Sequence, residues 1–145
     1  MNEDNYDRLM TWLTNQALDY KIGVEFFHGK PNFAAKAVPK YELVIINLNW
    51  RRPSEIPFMF AHELGHLLNH DDGWRYDGWR YNESPTLHWQ SEAHANRTGI
   101  QILWRYCQAN DLALSPAQFC STFGVPEAFL TAVVSVLRPT VIFNP

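Results

Sequence analysis

Phe58-Met59-Phe60-Ala61-His62-Glu63-Leu64-Gly65-His66-Leu67-Leu68 is an apolar run with a His-Glu-x-x-His pattern set inside it. Residues four apart on an α-helix differ by about 40° in direction and about 6 Å in height, so His62 and His66 can offer two imidazoles to one ion. Glu63 falls between them, turned toward the position such an ion leaves open. Zinc in this setting lowers the pKa of a water toward ~7, and a neighbouring carboxylate takes the proton as the water attacks a carbonyl. By chance the pattern turns up in about one shuffled chain of this composition in a hundred, so its context must decide. Two His and a Glu among Phe, Met, Leu and Ala are costly to bury unless something satisfies them. The plainer alternative is a hydrogen-bonded polar cluster on a core helix.

Working outward from the motif, Ser54 is the candidate N-cap of this helix, with Pro57 in the first turn where its missing N–H costs little. The helix is expected to run to Asn69 or His70 and to end at Asp71-Asp72-Gly73. Before it, Leu43-Val44-Ile45-Ile46-Asn47-Leu48 is the strongest strand signal, β-branched and apolar nearly throughout. Ile22, Val24 and Phe26 alternate with Gly23 and Glu25 as a strand. His28-Gly29-Lys30-Pro31-Asn32 is turn chemistry, and Phe33 to Val38 gives a further strand ended by Pro39-Lys40. Three short strands with tight connections suggest a small antiparallel sheet. Ahead of them, Tyr6, Leu9, Met10, Leu13, Ala17 and Tyr20 lie at helical spacing between Asn5 and Tyr20.

After the motif, Gly73-Trp74-Arg75-Tyr76-Asp77 is followed at once by Gly78-Trp79-Arg80-Tyr81-Asn82. Two such units are too few for a repeat architecture. The duplication is either a plain surface loop or an aromatic, cationic flap over the cleft. Helical period returns from Leu87 to Asn110, with Trp89, Ala93, Asn96, Ile100, Leu103, Trp104 and Cys107 as the core stripe and Glu92 at its edge. Ser115-Pro116-Ala117-Gln118 is a capping box that opens a helix to Phe123. Gly124 stops it, and Pro126 starts another through Leu137. Val141-Ile142-Phe143 is expected to add to a sheet edge. The fold class is therefore α+β: a small three-stranded antiparallel sheet with about five helices and the motif on the central one. A chain of 145 residues suits one domain spanning residues 1–145.

Composition narrows the function. Apolar residues make up 46% of the chain, a globular rather than a disordered balance. A net charge of −3 supplies no basic face, which argues against direct nucleic-acid binding. The acidic start, Met1-Asn2-Glu3-Asp4-Asn5, is unlike a secretory signal, and the apolar stretch from Ala128 to Leu137 is too short to cross a membrane. Cys107 and Cys120, the two cysteines, are expected as reduced core residues. These features together give a cytoplasmic expectation with no membrane partner.

A catalytic zinc takes three protein ligands and keeps a fourth position open. Later candidates are His70, Asp71, Asp72, Glu83, His88, Glu92 and His94. His70 lies ~12 Å along the axis from His62 and cannot join both histidines around one ion. Glu92 and His94 differ by about 200° on a helix, so only one can face the metal. His88 shares the face of Glu92, and geometry leaves these two level with His94 behind.

Ala61-His62-Glu63-Leu64-Gly65-His66, followed by Glu92-Ala93-His94-Ala95-Asn96, resembles the ImmA/IrrE family of zinc metallopeptidases, which pairs the helical motif with a later Glu-x-x-Ala-Asn. The Phe58-to-Ala61 approach and the preceding strand also match, and the similarity extends from about Leu43 to Leu103. The resemblance implies a zincin-like core and one zinc per chain held by His62, His66 and Glu92, with Glu63 as the general base. It implies a protein substrate, a helix-turn-helix transcriptional repressor, extended along the sheet's edge strand by analogy with other zinc peptidases. Residues 115–137 are similar to a helix-turn-helix-like element at the same place in the family. The duplicated Gly-Trp-Arg-Tyr unit departs from the family pattern, and the compact length resembles phage and mobile-element members. A further donor for the oxyanion is left open among His70, His88, Arg75, Arg80, Tyr76 and Tyr81. The competing readings are a zinc-containing regulatory module that controls a repressor by contact without hydrolysis, and a partner protein without metal.

Overall fold

In a computed structural model, residues 1–69 and 85–138 are described, with 85–88 described by backbone alone. The chain runs α1 (Glu3–Asp19), β1 (Gly23–Phe27), β2 (Lys36–Val38), β3 (Leu43–Asn47), α2 (Ile56–Leu68), α3 (Pro85–Ala109), α4 (Pro116–Phe123) and α5 (Leu130–Leu137). The duplicated segment, His70 to Glu83 and the 141–143 strand expectation lie outside the described residues, as does the side chain of His88. No described helix is long and apolar enough to cross a membrane.

The expected antiparallel sheet is in fact mixed. Strand order is β1-β3-β2, with β1 parallel to β3 from Gly23↔Leu43 to Phe27↔Asn47 and β2 antiparallel to β3 from Lys36↔Ile45 to Val38↔Leu43. The chain leaves β1, passes around the end of β3, and enters the opposite edge. Alternation of apolar residues is the same for either direction of pairing, so the pattern carried no information on it. The second strand is also shorter than the expected Phe33–Val38 span.

Asn47 holds that crossing loop in place. Its Oδ1 accepts the N–H groups of Gly29 (2.8 Å) and Asn49 (3.0 Å), while its Nδ2 donates to the carbonyls of Lys30 (2.7 Å) and Phe33 (2.9 Å). Only one orientation of the amide satisfies all four partners, and the side chain is 2% exposed.

One face of the sheet is closed by helices. Val44 and Ile46 are buried beneath α1 and α2, where Leu9, Leu13, Phe60 and Leu64 are fully buried. α1 begins at Asn2, whose side chain caps the N–H of Asn5 at 2.8 Å. α2 is buried nearly all round and packs against α1, α3, α4, β2 and β3. Ser54 is not its cap. Pro53–Glu55 form a 3-10 turn in which the Ile56 N–H reaches Pro53 O, so that backbone bond takes the cap's place. Glu55 is turned instead toward Trp50 Nε1, 2.8 Å away.

The core stripe expected on α3 is met in its second half, where Ile100, Leu103 and Cys107 are buried, and displaced in its first. Trp89 and Ala93 are exposed, whereas Ala95, Gly99, Ile100, Ile102, Leu103, Tyr106 and Cys107 are buried. The face that docks on α2 carries small residues whose low hydrophobicity hides it from a periodicity argument. Beyond α3, the Ser115 capping box forms as expected, and Gly124 closes α4 with φ of +74°. A Cβ at Gly124 would meet Ser54 O and come within 2.6 Å of Glu55 Cα, so the α4–α5 turn is seated on the lead-in to α2. A 3-10 turn, Glu127–Phe129, precedes α5 where a continuous helix from Pro126 was expected.

Candidate metal centre

His62 and His66 project from consecutive turns of α2 with ring centroids 4.7 Å apart and planes at 89°. Both are largely buried, their side chains 13% and 8% exposed. Glu92, from the first half of α3, reaches across to them. Its Oε1 lies 3.2 Å from His62 Nε2 and its Oε2 2.6 Å from His66 Nε2. Of the three later candidates on α3, Glu92 is thus brought to the motif, while His94 is exposed on another face.

Glu63 lies beside the same group, its Oε2 3.7 Å from His62 Nε2. Its other oxygen, Oε1, accepts the backbone N–H of Ala37 at 2.9 Å. Ala37 is the middle residue of β2, so this N–H is turned away from β3 and toward α2. A main-chain donor has no signature in residue type, and this contact could not be found from the sequence.

The ligand-type atoms of His62, Glu63 and His66 all lie within 4.8 Å of one another, which makes Glu63 a rival to Glu92 as third ligand. Two observations separate them. Glu92 sits directly on both Nε2 atoms, and one Glu63 oxygen is already tied to β2. Ligand atoms of a tetrahedral site with bonds of about 2.0–2.1 Å stand about 3.3 Å apart; the His62–Glu92 separation of 3.2 Å matches this, while the His66–Glu92 contact of 2.6 Å is a hydrogen bond that an ion would have to open. The donor set of two imidazoles and one carboxylate therefore fits a divalent ion such as zinc.

Electrostatics separates the carboxylates further. Burial alone would raise Glu92, but hydrogen bonds from His62 and His66 and their charge hold it well below the usual carboxylate range. Burial pushes Glu63 up, and the nearby imidazoles and the Ala37 N–H offset this only in part. Burial would lower His62, yet its hydrogen bond to Glu92 and the charges of Glu63 and Glu92 raise it. Adjacent carboxyls pushed in opposite directions are the pattern expected of one anionic anchor and one proton acceptor.

The chain matches no family model, no curated protein and no solved structure, so the resemblance rests on the motif residues themselves.

Proposed function

We propose that the chain is a zinc-dependent endopeptidase. The observation that carries this reading is that one carboxylate, Glu92, bridges both imidazoles while the other, Glu63, is held aside by the edge strand. His62, His66 and Glu92 would hold the ion through two ring nitrogens and a carboxylate oxygen. When bound, zinc supplies the Lewis acidity that activates water and polarises a carbonyl. Glu63, with Oε1 held on the Ala37 N–H and Oε2 3.7 Å from His62 Nε2, takes the proton of the attacking water and passes it to the departing amine. β2 is the sheet edge beside the base, with its Ala37 N–H taken by Glu63; by analogy with other zinc peptidases the substrate would lie extended along this edge. The resemblance adds the finer reading of a zincin-like core and a helix-turn-helix repressor as substrate; the two cysteines suit a cytoplasmic setting.

The test begins with metal content at neutral pH in the unaltered protein and in Glu92→Ala. About one zinc per chain is expected, lost or greatly weakened in the variant. Incubated with candidate repressors, the loaded protein should cleave one, and Glu63→Gln should keep zinc while losing cleavage. Zinc retained undiminished in Glu92→Ala would move the third ligand elsewhere. Zinc bound, a repressor bound and no peptide bond cut would replace the peptidase with a contact regulator.

A further inference from the structure

Where Glu92 meets the two imidazoles, α2 and α3 approach very closely, and two glycines lie at the crossing. A Cβ built on Gly65 would stand 2.7 Å from Ala95 O and 3.2 Å from both Ala95 Cα and Thr98 Cβ. One built on Gly99 would stand 3.0 Å from His62 N and 3.1 Å from Ala61 C. Nearly all of these atoms are backbone, so no change of rotamer relieves the overlap and the helices themselves must separate or slide. Gly is unfavourable relative to Ala inside a helix, and two at one crossing need a packing reason. Gly65 lies between the two histidines in sequence, and Ala95 lies one turn beyond Glu92.

We propose that Gly65 and Gly99 are positioning residues of the metal centre: by admitting the close crossing of α2 and α3, they set the separation at which Glu92 reaches His62 and His66. This inference rests on the metal-centre reading. Neither glycine touches the imidazoles' donor atoms or the carboxylate. Their effect is exerted through the helix axes, at a site where metal–ligand distances tolerate only about ±0.2 Å. A displacement of several tenths of an ångström at the crossing exceeds that tolerance, and Gly65, with the closer contact, should be the more sensitive position.

The test compares zinc affinity, by competition with a chromophoric chelator, in the unaltered protein, Gly65→Ala, Gly99→Ala and Gly23→Ala, with thermal unfolding of each metal-free form. Gly23 opens β1, at the sheet edge opposite β2, and a Cβ there would meet the Leu43 side chain at 3.3 Å and Glu42 O at 3.9 Å, the latter an ordinary contact. The expected result is at least a tenfold loss of affinity for Gly65→Ala, a smaller loss for Gly99→Ala and none for Gly23→Ala. A folded Gly65→Ala that binds zinc within twofold of the unaltered protein overturns the proposal. If Gly65→Ala does not fold, Gly99→Ala decides by the same criterion. If the unaltered protein binds no zinc, the metal-centre reading fails on its own. The positioning claim is then read from NMR contacts between Glu92 and the His66 ring, which must be present in the unaltered chain and lost in the variant.

Discussion

Replacing Asn47 with Asp changes one side-chain NH2 to an oxygen at nearly constant volume, and the hydrogen-bond geometry determines the cost. The two N–H groups of Gly29 and Asn49 keep their acceptor. The carbonyls of Lys30 and Phe33, 2.7 and 2.9 Å from the present donor, then face an oxygen instead. If the new carboxyl is ionised, both donated bonds vanish and like partial charges oppose each other. If it keeps its proton, one bond returns and one carbonyl stays unpaired. Two net bonds of about 1 kcal/mol each, plus the penalty of a part-buried carbonyl without a donor, give a loss of about 2–4 kcal/mol at pH 7. The carbonyls raise the pKa of the introduced carboxyl above its unfolded value, so the folded variant binds more protons. Its deficit should shrink as the pH falls from 7 toward 5. Urea unfolding at the two pH values measures this, and amide exchange reports whether Gly29 and Asn49 remain protected, as they should in Asn47→Asp but not in Asn47→Ala. An Asn47→Asp protein within about 0.5 kcal/mol of the unaltered chain at pH 7 would show that the loop does not depend on this amide.

Cys107 is fully buried, and burial pushes its thiol up to about 11. It should not react with a disulfide reagent at pH 8 until the chain is unfolded; prompt labelling of the native protein would contradict this. Because the folded value is the raised one, the associated stability is complete below about 8.5 and is lost as pH climbs toward that folded value. Unfolding midpoints should therefore fall over that alkaline window, and the fall should diminish in Cys107→Ala. Gly124→Ala places a side chain at φ of +74° and against Ser54 O, and it should destabilise by about 2–4 kcal/mol in urea unfolding. A loss under about 0.5 kcal/mol would mean that the α4–α5 turn is not seated on the lead-in to α2.

The parts of the fold written in local chemistry were legible in the sequence. The Ser115 capping box, the Gly124 stop, the apolar face of α1 and the motif helix each depend on residues within a turn or two of one another. What the sequence hid depends on contacts made at a distance. The direction of β1 against β3 leaves the alternation of Val24, Phe26, Val44 and Ile46 unchanged. Asn47 looked like the polar end of an apolar strand, although a lone amide closing such a run was the available signal. On α3, the eye is drawn to Trp89 and Ala93, yet Glu92, Ala95, Thr98 and Gly99 meet α2. These residues have little hydrophobic weight, because close approach of two helices calls for small residues and not for large apolar ones.

The candidate centre is therefore assembled by three supports of different reach. Helical spacing within α2 places His62, Glu63 and His66. The glycine crossing with α3 brings Glu92 onto both imidazoles. The loop held by Asn47 delivers β2, whose Ala37 N–H fixes one oxygen of Glu63. These supports act on different members of the site, so their failures should be separable. Opening the crossing at Gly65 disturbs the His62–His66–Glu92 trio while leaving the Ala37–Glu63 bond, which α3 does not make. Loosening the loop at Asn47 releases Glu63 while leaving the trio together. Zinc affinity and the amide protection of Ala37 should accordingly move independently in the two variants. A joint loss of both in a folded Asn47→Asp protein would mean that the centre is held as one unit and that the separation of ligand and base supports is wrong.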